Sequence, residues 1–327
     1  MATTPSNKMR PKPHLPPNLP SLVATAFSRS VATKTVNFYP TSVTLLTINS
    51  IPFQLRYSPS LASKPKPPSV TTPKLFFNPF ASPTQEMLIT PFGTSPPSHN
   101  LVLNKFAVVP EHFILSTSAF KPQTHLLEAD DLAAAYACID AYARHNKELF
   151  VFFNSGDHSG ASQPHRHLQL LPVENMKEGL EGEWDVLAKG LTDPNTRGKL
   201  PFEVFARDIE GLGGDGEELR RVYLELYNQA CEAVLGVAED IKHEGEAQIS
   251  YNLAMTNNTM AVVPRLTEGG VVKDKDGQEV GNLALNGTVL AGTALVRSEM
   301  EWNALREDPD QVNQVLGRIG VPNRARM

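Results

Sequence analysis

The sequence predicts an α+β fold, a mostly antiparallel sheet with flanking helices, on two observations. Short stretches rich in β-branched and aromatic residues are bounded by turn formers, and the helical patterns stand apart from them instead of alternating strand by strand. No strand leads into a Gly-rich turn and helix, which argues against a doubly wound nucleotide fold.

Residues 1–20 contain six prolines and read as a disordered Pro-rich leader, followed by a single domain over 21–327. Ser42 to Tyr57 is rich in β-branched residues and reads as one or two strands. Ser63 to Pro97, rich in Pro, Ser and Thr, reads as irregular backbone. Asn100 to Val109 and His112 to Thr117 are strand candidates, joined by a Pro110-Glu111 turn into an antiparallel hairpin. Glu128 to Lys147 reads as a helix with Leu132, Tyr136, Ile139 and Ala143 at helical spacing. Asp130 and Asp131 near its start complement the dipole. A second helix, Gly216 to Glu239, carries an apolar stripe of Leu219, Val222, Tyr223, Leu226 and Ala230. Strands follow at Gln248 to Met255, Thr259 to Val263 and Asn286 to Val296. Capping boxes at Ser298 to Glu301 and Asp308 to Gln311 announce the closing helices.

Composition narrows the function. The 327 residues are 41% hydrophobic and 20% charged, the balance of an ordinary globular chain. Cys138 and Cys231 stand alone, so neither a disulfide framework nor a cysteine zinc site is available. No apolar run approaches the roughly 20 residues of a membrane helix, and no compact secretory core opens the chain. Before Glu86 there is no acidic residue but nine basic ones, leaving 21 basic against 35 acidic residues in the remainder. We read this quarter as a solvated segment of which one part lines a polyanion site. Its prolines oppose a transit-peptide helix, although Leu22 to Lys34 keeps mitochondrial targeting open beside a cytoplasmic or nuclear location. Few aromatics are interleaved with the basic residues, so nucleic acid is not an expected partner, nor is a membrane. The Gly-rich run Gly211 to Gly216 lacks a preceding strand and a Lys-Ser/Thr ending, and is a loop rather than a P-loop.

The chemistry concentrates after the apolar strand Leu149 to Phe153, in the stretch Asn154 to Gln169. If His165 to Leu171 is extended, His165, His167 and Gln169 share one face, and Arg166, Leu168 and Leu170 the other. The loop before them offers Gly156, Gly160, Ala161 and Ser162, small residues whose N–H and hydroxyl groups can surround phosphate oxygens. A neutral imidazole is a competent nucleophile toward phosphorus when its other nitrogen is held by an acceptor. A zinc site on the same histidines is the competing reading, with only His158 and Asp157 nearby as further ligands.

These residues resemble the His-x-His-x-Gln signature of the histidine-triad superfamily, specifically the fungal diadenosine tetraphosphate phosphorylases, or ATP adenylyltransferases. Further segments look similar in family order: Pro59 to Pro65, Leu103 to Phe106, Val109 to His112, Ser250 to Leu253, Val263 to Arg265, and Asn286 to Arg297. The resemblance spans roughly residues 20 to 325 and implies a histidine-triad-like fold. It also implies that His167 attacks the α-phosphorus of diadenosine tetraphosphate to form AMP-histidine, which inorganic phosphate resolves to ADP while ATP leaves. No permanently bound cofactor is implied; a divalent cation such as magnesium would accompany the nucleotide. The resemblance makes Gln169 the ligand of the nucleotidyl group. It makes Lys64, Asn104, Lys105, Asn154, Gly160, Ala161, Ser162, Gln163, Asn286, Gly287 and Thr288 substrate contacts. Thr293 and Arg297 stand where relatives are expected to carry Met and Lys, so these two contacts depart from the pattern. His112 reads as a structural residue of the hairpin.

An amide at Gln169 cannot shuttle a proton as an imidazole could, which favours transfer to an ionised acceptor over hydrolysis. Two other readings are a sugar-1-phosphate nucleotidyl transferase of the same superfamily and a nucleotide-binding protein without chemistry. The former commonly carries structural metal ligands that two lone cysteines do not supply.

Overall fold

The computed structural model describes residues 15–60, 78–93, 95–236 and 240–323. Most of the Pro-rich leader, Lys64 and the greater part of the Pro59 to Pro65 segment lie outside the described residues. Helix α1 (Leu19–Ala32) begins within the span read as leader. Leu19 and Pro20 are buried, and Pro20 occupies the first turn, where a missing N–H costs nothing.

Strands β1 (Asn37–Phe38), β2 (Ser42–Ile48) and β3 (Ile51–Tyr57) follow. The last two form one hairpin, turned at Asn49 and Ser50 with φ of 50° and 63°, the twist that suits a two-residue turn. Next come β4 (Leu88–Phe92), β5 (His99–Leu103), β6 (Phe106–Ala107) and β7 (Phe113–Thr117). β5 and β7 pair antiparallel as expected, but the strand expected to reach Val109 stops at Leu103. The Asn104 side chain accepts the Phe106 N–H at 3.0 Å, a local turn that lifts the chain out of the ladder. β6 then pairs in parallel with β1.

Helix α2 (Ala129–Ala143) has Glu128 and Asp131 in a reciprocal capping box. Leu132 and Ile139 are buried, but Ala143 faces solvent, because the covered stripe turns through Ala135, Cys138 and Tyr142. β8 (Leu149–Ser155) and β9 (His167–Pro172) lead to the short helices α3 (Val173–Met176) and α4 (Pro194–Lys199) and to β10 (Phe205–Asp208). Helix α5 (Gly216–Leu235) buries all five residues of its expected stripe and ends at Gly236, whose φ of 73° places it in the left-handed cap position.

Antiparallel β11 (Ser250–Met255) and β12 (Thr259–Arg265) follow, then the hairpin β13 (Gly269–Lys273) and β14 (Glu279–Ala284), which the sequence pattern did not announce. The expected strand Asn286 to Val296 divides into a 3-10 turn over Gly287–Ala291 and β15 (Thr293–Val296). The Asn286 side chain caps that turn by accepting the Thr288 N–H at 2.9 Å, a bond the extended form could not make. Helix α6 (Glu299–Glu307) carries the Ser298 to Glu301 capping box. In α7 (Asp310–Ile319) Asp308 accepts from the Asp310 N–H instead of closing a box with Gln311.

Eight strands form one sheet in the order β10-β12-β11-β8-β9-β7-β5-β4, every neighbour antiparallel. Its two faces build two cores. α2 and α5 pack on the face that shows Val151, Phe153, Leu168 and Leu170. The face with Phe150, Phe152 and Leu171 is covered by β2, β3, β15 and the C-terminal helices. Because strand side chains alternate, His167 and Gln169 fall on the second face, beside Asn154 of β8 and Asn252 of β11.

Candidate active site

His167 begins β9, opposite Ser116 of β7. Its Nδ1–H donates to the His165 carbonyl at 2.9 Å, which leaves Nε2 unprotonated, with no hydrogen-bond partner among the described residues. The side chain is 4% exposed, and burial pushes the imidazole down to about 4, against the pull of the His165 carbonyl. The ring is therefore neutral at physiological pH. Phe80 lies over it, ring centroids 5.0 Å apart and planes 33° apart.

β8 and β9 pair only as far as Phe152 and Gln169, and beyond that point the strands part. The buried side chain of Gln123 fills the gap. Its Oε1 accepts the His167 N–H at 2.8 Å, and its Nε2 donates to the Asn154 carbonyl at 2.8 Å and the His167 carbonyl at 3.1 Å. One amide thus replaces the missing ladder and fixes the His167 backbone. Sequence reasoning missed Gln123, since a lone Gln between strand and helix carries no pattern.

His165 lies near His167 but has a different task. Its Nε2–H donates to the Thr117 carbonyl at 2.8 Å, and its Nδ1 accepts from Asn78 Nδ2 at 2.8 Å. Both ring nitrogens are spent on structure. His112, read from sequence as structural, is 6% exposed and is pushed down to about 4 by burial. The Gln169 amide opposes that shift and the His167 ring adds to it, so His112 sits in the same electrostatic neighbourhood as both. Asn104 reaches the site's margin through this ring, with Nδ2 3.0 Å from His112 Nδ1. Lys105 is exposed next to it.

The loop after β8 is tied down from within. Ser159 Oγ donates to the Gly156 carbonyl at 2.6 Å and accepts the Ala161 N–H at 3.3 Å. The N–H groups of Gly160, Ser162 and Gln163 have no hydrogen-bond partner among the described residues. A Cβ on Gly160 would stand 2.7 Å from the Cβ of Asn286, so glycine lets the loop touch the Asn286-Gly287-Thr288 segment. Gly287 in turn packs on Phe152 and donates its N–H to Asn154 Oδ1 at 2.9 Å. The structure thereby gathers Asn154, Gly160, Asn286, Gly287, His167 and Gln169 at one end of one sheet face. Two further expected contacts lie in β15 and just before α6. The buried Thr293 hydroxyl donates to Gln54 Oε1 at 3.1 Å, and Arg297 is exposed at the start of α6, its backbone N–H bonded to Glu301.

An antiparallel sheet flanked by helices, carrying a buried neutral imidazole beside a loop whose N–H groups have no partner among the described residues, is the framework of a histidine-triad-like nucleotidyltransferase. Residues 9–182 match the model of the Ap4A phosphorylase N-terminal domain, and residues 198–322 that of the ATP adenylyltransferase C-terminal domain. The chain belongs to the Ap4A phosphorylase (ATP adenylyltransferase) family, where Ap4A is diadenosine tetraphosphate.

The chain is 32% identical over 290 residues to diadenosine 5',5'''-P1,P4-tetraphosphate phosphorylase 2 of Saccharomyces cerevisiae, covering 84% of this chain and 85% of that one. It is 28% identical over 326 residues to Protein APA1 of the same yeast, covering 94% and 96%. The crystal structure of yeast Ap4A phosphorylase Apa2 superposes with a TM-score of 0.76 at 25% identity, covering 95% of this chain and 99% of that chain. The same yeast protein in complex with Ap4A gives 0.72 over the same shares at the same identity. The boundary between the two family models falls between β9 and β10, yet strands from both sides share the central sheet.

Proposed function

We propose that this protein phosphorolyses diadenosine tetraphosphate to ATP and ADP, reversibly, through AMP carried on His167. The observation that supports it most is the 2.9 Å bond from His167 Nδ1–H to the His165 carbonyl, which leaves Nε2 as the free, uncharged nucleophile. The yeast relative supports the substrate, since it is a diadenosine tetraphosphate phosphorylase that was crystallised with Ap4A.

Nε2 attacks the α-phosphorus, and the bond from that phosphorus to the bridging oxygen breaks, releasing ATP. An oxygen of inorganic phosphate then attacks the same phosphorus, the N–P bond breaks, and ADP leaves with the imidazole restored. Neither step needs a proton from the protein: polyphosphate departs as an anion, and the acceptor arrives ionised. The Gln169 amide, which cannot exchange protons, suits such a pair of steps and holds the nucleotidyl group by hydrogen bonding. The free N–H groups of Gly160, Ser162 and Gln163 bind phosphate oxygens, joined by Asn154, Ala161 and the Asn286-Gly287-Thr288 segment. Lys64 and Lys105 bring positive charge to the polyphosphate, Asn104 borders it through His112, and Thr293 and Arg297 close the far end. A divalent cation such as magnesium arrives with the nucleotide as part of the substrate.

His167→Ala is expected to lower turnover by on the order of a thousandfold or more while AMP still binds. Labelled α-phosphate should be trapped on His167 in the wild type when phosphate is omitted. Equal turnover in wild type and variant would overturn the covalent route.

A further inference from the structure

Arg265, the last residue of β12, is 2% exposed, and no carboxylate bonds it among the described residues. Its Nη2 donates to the carbonyls of Thr267 at 3.0 Å, Glu268 at 3.1 Å and Leu285 at 3.0 Å, and its Nη1 donates to Asn252 Oδ1. A guanidinium can only donate, so Asn252 must offer its oxygen to it and turn its Nδ2 the other way. That Nδ2 donates to Asn154 Oδ1 at 2.9 Å and to the Ser159 carbonyl at 2.9 Å. Asn154 Oδ1 also accepts the Gly287 N–H at 2.9 Å. Both ends of the chain are therefore set by groups with one possible role: the guanidinium and the Gly287 N–H only donate, and the Ser159 carbonyl only accepts. Asn154 is left with an Nδ2 that has no hydrogen-bond partner among the described residues.

We propose that Arg265 and Asn252 are positioning residues for nucleotide binding, turning the Asn154 side chain so that its NH2 group, and not its oxygen, meets an anionic phosphate oxygen of the nucleotide. The inference rests on the nucleotide-binding role given above to Asn154. The direction of the chain also matters for charge. The Arg265 guanidinium, bonded to neutral acceptors with the Glu268 carboxylate in electrostatic reach, places a positive charge beneath the loop that carries the N–H groups of Gly160, Ser162 and Gln163, which favours a polyanion there.

The experiment compares two carboxylate substitutions by calorimetric titration with AMP, with melting temperature measured alongside. In Asn252→Asp the carboxylate still accepts from Arg265, now as an ion pair, but can no longer donate to Asn154; it attracts the Asn154 NH2 away from the nucleotide, and only the Gly287 N–H still holds the amide in its original sense. AMP affinity is expected to fall about tenfold, the scale of one mis-set hydrogen bond, without a matching loss of melting temperature. In Asn154→Asp both protein donors still find an oxygen, so the fold is kept, while an anion replaces the NH2 group. Its AMP affinity is expected to fall below that of Asn154→Ala, where the donor is merely absent. Asn154→Asp binding AMP as well as Asn154→Ala, or a folded Asn252→Asp with wild-type affinity, overturns the proposal. Should Asn252→Asp not fold, the Asn154 pair decides alone. Wild-type protein that neither binds AMP nor turns over Ap4A would instead remove the functional reading beneath it.

Discussion

The two faces of the sheet around β9 handle buried charge in opposite ways. On the face covered by α2, Arg166 donates to Asp131 at 2.7 Å and to Glu128 at 2.9 Å, and His99 bonds Asp131 at 2.9 Å. Burial alone would raise the Asp131 carboxyl, but His99 and Arg166 outweigh it and hold it below the usual carboxylate range. On the other face Arg265 and Arg56 are held by carbonyls, amides and a hydroxyl, and burial lowers both to about 10. The imidazoles of that face, His112 and His167, are neutral. Paired charge fastens a helix to one face of the sheet, whereas on the other side the cations are bonded to neutral acceptors, with Glu268 and Glu178 only in electrostatic reach, and the imidazoles carry no charge. Arg166, just before β9, and His167, its first residue, are neighbours in the chain, yet they reach different sides of the sheet and so meet different electrostatic surroundings.

The largest effect should come from breaking the paired face. Asp131→Ala leaves the buried Arg166 guanidinium without its closest carboxylate. It is expected to cost about 3–5 kcal/mol of stability, read from denaturant unfolding, with turnover per folded molecule near that of the wild type. A comparable loss of turnover in the folded fraction would mean that the two faces are not separate.

Gln123→Leu acts on the other side. It strips the His167 N–H and two carbonyls of their buried partner, and is expected to lower kcat about thirtyfold, or ~2 kcal/mol, with KM within about twofold of wild type. A rise in KM with kcat unchanged would show that Gln123 shapes the pocket without placing the nucleophile.

Acid should have the gentlest influence. The His167 and His112 pKa values are lowered on folding, so their contribution to stability is complete above the unfolded value near 6.5 and is lost as pH falls toward about 4. Melting temperature is expected to decline over that window as unfolding takes up protons. kcat/KM should stay level through pH 6.5 and turn down only as the pH nears 4. An acid limb centred near 6.5 would mean that the nucleophile is solvated like an ordinary histidine.

Parts of this site could be read from the chain and parts could not. The alternation His167, Leu168, Gln169 was legible because a strand's period of two is local, and the small residues after Asn154 announced a loop open to phosphate. Even the acceptor for His167 Nδ1 lies only two residues back, at His165. Gln123 escaped notice because it acts on a residue 44 positions away, and spacing alone did not separate His165 from His167, whereas Thr117 and Asn78 occupy both ring nitrogens of His165. The strand expected through Asn286 to Val296 failed for a related reason. β-propensity there was real, but the Asn286 cap and the close seat of Gly287 against Phe152 and Asn154 favoured a tight turn.

The sequence by itself determined the long helices, the strands around the motif, the face on which His167 would fall, and the superfamily chemistry it resembles, since all of these follow from spacings of a few residues. Only the tertiary structure decided which nitrogens and oxygens remain free. Asn154 meets Asn252 across 98 residues and Gly287 across 133, and a side-chain amide has no preferred end until such partners claim one.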